Sequence, residues 1–215
     1  MVQGIAGKAC LLLVFAGILS TEPAYAGACD AWRESGRSDA GVIYQCQTDT
    51  RIPWIMIKTD FSVHPAELFE VINNYNDFEA FVPNVAESRV LESSGDQQWV
   101  FHRLRFPILF TDLNYVIRST YSGSNPEGGY YRVEWQLDGR HFPGLDLTPG
   151  KVPDAFAGFW DIRPANGGSA TVANYAVYSD PGGLSPAWLV TRMTERYVQQ
   201  LIIAIRKHLI NSKIR

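Results

Sequence analysis

The sequence predicts an α+β fold, in which an antiparallel sheet wraps one long C-terminal helix, and two observations carry this reading. The first is residues 186–209, where Trp188, Leu189, Met193, Tyr197, Val198, Leu201, Ile202, Ile205 and Leu209 recur at three- and four-residue steps. The opposite positions hold Arg192, Glu195, Arg196, Gln199, Gln200, Arg206 and Lys207, so the segment reads as an amphipathic helix. At 1.5 Å per residue it would run roughly 36 Å, the width of a small domain. The second observation is that residues 42–179 divide into short alternating segments separated by turn residues. Strands first and the longest helix last is the order of an α+β domain, and a helix of that length needs a concave sheet to lie against.

The N-terminus is set apart from the fold. Lys8, the apolar residues 9–19 and the small-x-small run Ala24-Tyr25-Ala26 have the layout of a cleaved export signal over residues 1–26. The apolar run is shorter than the roughly 20 residues that a spanning helix needs. Residues 27–215 then suit one domain, exported to a periplasmic or extracellular space. They keep two cysteines, Cys29 and Cys46. In an oxidising compartment these are expected to pair, which would contribute about 3 kcal/mol. Two free thiols, or a lipid anchor on Cys29 after Ala26-Gly27-Ala28, are the alternatives. A formal charge of −3 and the absence of basic clusters argue against nucleic acid as a partner.

In chain order, residues 28–34 read as a short helix, followed by a polar link up to Gly41 and a strand over 42–47. Residues 53–61 alternate, and Ile55, Ile57, Thr59 and Phe61 form the face expected to point inward. Pro65 opens a helix striped by Leu68, Phe69, Val71 and Ile72, and Asn73-Asn74 stop it. A short turn over 75–82 follows. Strands are expected at 85–92, 98–106, 112–122, 130–138, 156–163 and 169–179, about seven or eight in all. Asn166-Gly167-Gly168 marks a hairpin between the last two. For the final helix, Ser185 is the expected cap, Pro186 the first helical residue, and Leu184 with Leu189 a hydrophobic staple.

Alternation also assigns faces. Tyr131, Val133, Trp135 and Leu137 form an unmixed apolar set against Arg132, Glu134, Gln136 and Asp138, so their face is buried. Leu113, Tyr115, Ile117, Ser119 and Tyr121 are assigned inward. Of the two faces of residues 98–106, the one with Val100, His102, Leu104 and Phe106 is placed inside, because the other would bury Arg103 and Arg105 without partners. The loop over 140–154 has no apolar periodicity yet holds Phe142, Leu145, Leu147 and Val152. Loops this long are usually functional or disordered, and Phe142, Leu145 and Leu147 are the expected residues of a lid or membrane-touching tip, with an ordinary ordered surface loop as the alternative.

No covalent, metal or cofactor signature is present: no paired-His motif, no Cys-x-x-Cys, no Gly-x-Ser-x-Gly and no phosphate-cradling loop. No catalytic residue, metal or cofactor is therefore assigned. His64 reads as a helix N-terminal residue and His208 as a residue of the last helical turn. His102 is either a core histidine satisfied by the protein or a polar group orienting a ligand's hydroxyl or carbonyl. Tyr115, Ser119, Tyr175 and Tyr197 stand in the same position. Trp135, Trp160, Tyr131, Phe156 and Trp188 suit a cavity wall or a solid core equally well.

Two stretches resemble the START and polyketide-cyclase-like (SRPBCC) superfamily. One is Pro65-Ala66-Glu67-Leu68-Phe69-Glu70-Val71-Ile72 with Tyr75, Phe78, Phe81, Pro83 and Ser88-Arg89-Val90-Leu91. The other, Gly158-Phe159-Trp160-Asp161-Ile162 through Asp180-Pro181-Gly182-Gly183-Leu184-Ser185-Pro186-Ala187-Trp188-Leu189, is closer to the START lipid-binding branch. The resemblance implies a helix-grip fold, a curved sheet closed by its last helix around a cavity for one hydrophobic molecule. It turns His102, Leu104, Tyr115, Ser119, Tyr131, Val133, Trp135, Trp160, Met193, Tyr197 and Leu201 into the expected ligand-binding set. It implies a non-enzymatic carrier of a lipid, sterol or isoprenoid that touches membranes transiently. An aromatase/cyclase-type enzyme and a ligand-binding regulatory module are the alternatives. The chain departs from many relatives in holding Leu113-Asn114 where they carry an Arg-Asp pair.

Overall fold

The computed structural model describes residues 29, 31–106, 111–125, 128–148 and 150–212. The expected export signal over 1–26 lies outside them. Nine strands form one antiparallel sheet: β1 Arg33–Ser38, β2 Gly41–Cys46, β3 Trp54–Phe61, β4 Val85–Ser94, β5 Gln97–Leu104, β6 Leu113–Asn125, β7 Tyr130–Leu137, β8 Ala155–Ala165 and β9 Ala170–Asp180. Their order across the sheet is β1-β2-β3-β9-β8-β7-β6-β5-β4. After β3 the chain crosses through α1 (Pro65–Asn73), a 3-10 turn and α2 (Phe78–Phe81) to the far edge. It then meanders back until β9 pairs with β3, with Ile57 opposite Tyr175. The final helix, α3, spans Ala187–Ser212.

The first strand corrects the sequence reading. Arg33 and Glu34, the end of the expected helix, and most of the polar link after them form β1, and only Asp39 and Ala40 turn the chain into β2. The segment RESGRS is largely exposed at the sheet edge, so it carries no apolar alternation from which a strand could be read. Elsewhere the turn chemistry holds. His64 caps α1 in a capping box with Glu67, and Gly95, with φ of 60°, turns β4 into β5.

The start of α3 also differs. The first helical amides, of Leu189 and Val190, donate to the Pro186 carbonyl, so the helix begins one residue later than expected. Ser185 gives its carbonyl to Arg51 Nη1 at 2.8 Å instead. Arg51 in turn pairs with Asp180, its Nε donating to Oδ2 at 3.0 Å. The guanidinium holds the Asp180 carboxyl below the usual carboxylate range. Leu184 is fully exposed, so no staple forms. Trp188 is 69 % exposed and belongs to neither wall nor core.

Along its length α3 is fastened to the first three strands. Glu195 accepts from Ser35 Oγ at 3.0 Å and Gln45 Nε2 at 2.9 Å. Arg206 donates to the Asp39 carbonyl at 2.6 Å, Thr59 Oγ1 at 2.8 Å and the Asp60 carbonyl at 3.0 Å. The buried stripe Val198, Leu201, Ile202, Ile205 and Leu209 then meets the inward Ile55, Ile57 and Phe61 of β3 in the main core. This is the helix-grip arrangement.

Apolar side chains on the outer face are covered too. Cys29 and Cys46 form a disulfide. Around it Ile52, Trp54, Ala176 and Tyr178 make a second cluster. A third, of Trp99, Phe101 and Val116, is roofed by Phe142, Leu145 and Leu147.

Candidate functional site

Between the inner face of the sheet and α3 lies a chamber of about 60 Å³. Leu104 and His102 of β5, Tyr115 and Ile117 of β6, Trp135 of β7, Phe156 and Trp160 of β8 and Tyr175 of β9 form its floor. Tyr197, Leu201 and Ile205 of α3 close it from above, and Ile72, Tyr75, Phe78, Val82 and Val85 close the end where α1 and α2 pass to the far edge. Each floor residue is there because strand alternation points it inward, and neighbouring strands place the inward positions side by side: His102 opposite Tyr115, Trp160 opposite Tyr175. One glycine is needed for this floor. A Cβ on Gly158 would lie 2.3 Å from the Trp135 ring and 2.4 Å from the Ala176 carbonyl, so Gly158 lets the indole lie flat across β8. The indole stacks on Tyr175 with ring centroids 5.5 Å apart.

The chamber's polar groups are uncharged. His102 is 5 % exposed, and burial lowers its pKa to about 4, so the imidazole is neutral near pH 7. Its Nδ1 has no hydrogen-bond partner. Rings surround it, with centroids of Tyr75 at 5.9 Å, Phe78 at 6.0 Å and Tyr115 at 5.7 Å. Burial pushes the Tyr75 and Tyr197 hydroxyls up to about 12 and those of Tyr115 and Tyr175 well above their ordinary value. Tyr75 OH is paired with Ser119 Oγ at 2.8 Å. No Lys, Arg, Asp or Glu is among the described lining residues. The arrangement can enclose apolar matter and offer a few neutral hydrogen bonds.

Seven of the eleven expected ligand-binding residues border the chamber: His102, Leu104, Tyr115, Trp135, Trp160, Tyr197 and Leu201. Four do not. Tyr131 stacks on Phe69 of α1 at 4.6 Å, Val133 is completely buried, Ser119 is held by Tyr75, and Met193 is half-buried away from the hollow. The inner face is longer than the chamber, and α1 fills the space over its other end. The residues from α1 to β4 that close the chamber went unread, because only the chain crossover brings them there. Ile117 and Ile205 sit on faces already assigned inward, and Phe156 and Tyr175 were among the aromatic candidates.

The structure places the expected lid residues on the outside of the sheet. Phe142, Leu145 and Leu147 pack on the outward residues of β5 and β6, and none of them lines the chamber. Asn114 fixes this loop: its Nδ2 donates to the Leu147 carbonyl at 2.7 Å, and its amide donates to the Lys151 carbonyl at 3.0 Å. Asn114 thus serves as an anchor for the loop.

A curved antiparallel sheet gripping a terminal helix over an apolar chamber defines a helix-grip protein. The chain belongs to the family described as polyketide cyclase / dehydrase and lipid transport, which matches residues 61–206. Similar solved structures include a STAR-related lipid transfer protein from Xanthomonas axonopodis, at 20% identity and TM-score 0.72, covering 84% of this chain and 99% of that one. Human STARD10 aligns at 14% identity and TM-score 0.70, over 87% of this chain and 79% of that one. The Zhui aromatase/cyclase from a Streptomyces species aligns at 12% identity and TM-score 0.56, over 75% and 95%. A search of curated proteins returns no match.

Proposed function

We propose that this protein binds one hydrophobic molecule in the chamber and carries it between membranes in the periplasm or outside the cell. The observation that carries the reading is an apolar hollow closed by α3, with no charged residue among its described walls, in a family whose description includes lipid transport. At about 60 Å³ the hollow is well below the roughly 300 to 1,000 Å³ of a pocket for a drug-sized ligand. Loading therefore requires it to widen. Export is supported by the signal-like residues 1–26 and by the disulfide, which suits an oxidising compartment. Membrane contact is supported by Leu184 and Trp188, each exposed near the start of α3, since an indole suits the lipid–water interface. A carrier is favoured over a cyclase because the signal-like residues 1–26 support export, away from the cytoplasmic carrier proteins that hold cyclase substrates.

The test is transfer of a fluorescent lipid or sterol between donor and acceptor vesicles. Acceleration by the mature protein, reduced in Leu184→Ser with Trp188→Ser, is the expected result. No acceleration of any apolar probe would contradict the carrier reading.

A further inference from the structure

Resting on the carrier reading, we infer that the chamber selects an uncharged ligand bearing a hydroxyl group, which His102 holds. His102 lines the chamber and its Nδ1 is buried without a partner, whereas buried polar atoms almost always have one. A neutral imidazole presents one donor and one acceptor nitrogen. A ligand hydroxyl satisfies Nδ1 in either tautomer, because it both donates and accepts. A carbonyl or an ether oxygen only accepts, so it serves one tautomer alone.

The same walls reject charge. With no cation among the described lining residues, a buried carboxylate or phosphate would lose its water and gain no counter-ion. Burial also holds the imidazole neutral, so it cannot become that counter-ion near pH 7. The aromatic floor, with Trp135 flat on Tyr175, accepts a rigid ring system or a folded chain. Either skeleton is compatible with the hydroxyl contact.

Native mass spectrometry of the mature protein offered equimolar mixtures tests this. One mixture holds hexadecanol, its methyl ether and hexadecanoate, and the other holds cholesterol and its methyl ether. One retained hydrogen bond predicts an alcohol-to-ether ratio of about tenfold, with hexadecanoate rejected, and the mixture that shows it identifies the skeleton. His102→Leu removes the unpartnered Nδ1 and keeps an apolar side chain in the wall. In that variant apolar binding should persist while the ratio falls to about one. Equal retention of alcohol and ether by the wild type, preference for hexadecanoate, or an unchanged ratio in His102→Leu would overturn the inference and leave the carrier reading standing. The wild-type comparison decides even if the variant does not fold. Retention of no compound at all would overturn both.

Discussion

On β5 the outward Trp99 and Phe101 are covered by the 140–154 loop, while the inward His102 and Leu104, alternating with them, border a hollow. The two faces of one strand thus use similar side chains for opposite ends. Outside, the loop's apolar side chains pack on the strand and Arg140 adds to the cover, its guanidinium 3.9 Å from the Trp99 ring and 4.5 Å from the Phe142 ring. Inside, Tyr75, Phe78 and Tyr115 ring an imidazole whose Nδ1 has no partner. The lesson is that apolar alternation reports burial but not what does the burying. A greasy loop can be a roof for the outer face as readily as a gate for the inner one.

The difference can be broken from either side. On the inner face, His102 has a folded pKa near 4 against an ordinary 6.5. Between those values the unfolded chain takes up a proton that the folded chain refuses. Its contribution is therefore present above pH 6.5 and lost as pH falls toward 4. A shift of this size corresponds to about 3 kcal/mol, and urea titrations at several pH values should show that extra acid sensitivity in wild type and not in His102→Leu. On the outer face, Cys46→Ala opens the disulfide beside Trp54 and should cost about 3 kcal/mol, measured by chemical unfolding, with ligand retention unchanged. Phe142→Ser with Leu145→Ser uncovers Trp99 and Phe101. It should cost about 2 kcal/mol, since both side chains are partly buried, and leave the lipid transfer rate as it was. A transfer rate that falls without loss of stability would restore the loop as a gate.

Much of this was legible in the sequence because strands and helices impose their own periods. The inward set of β3, the clean face of β7 and the stripe of α3 all follow from spacing alone. Pro65, Gly95 and Asn166-Gly167-Gly168 mark starts and turns because backbone chemistry permits little else. Three things were not legible. The edge strand β1 is polar on both faces and owes its conformation to pairing with β2. The loop's destination depends on Asn114, whose role needs Leu147 and Lys151 brought to it by the fold. The chamber's closed end depends on α2 and Val85, placed there by a crossover that no local pattern announces. Tyr131 and Val133 show the converse, a correctly assigned inner face whose hollow is only partial.

The central claim is that the inner face encloses usable space. Leu201 of α3 points into that space, and replacing it with tryptophan distinguishes a hollow from a solid core. Ligand retention and melting temperature should be measured on the same preparation of Leu201→Trp and wild type. The account predicts a bound hydrophobic molecule in wild type that is lost in the variant, with the melting temperature little changed. A variant destabilised by about 1 to 3 kcal/mol, as overpacking a filled core would do, together with no ligand in wild type, would contradict it.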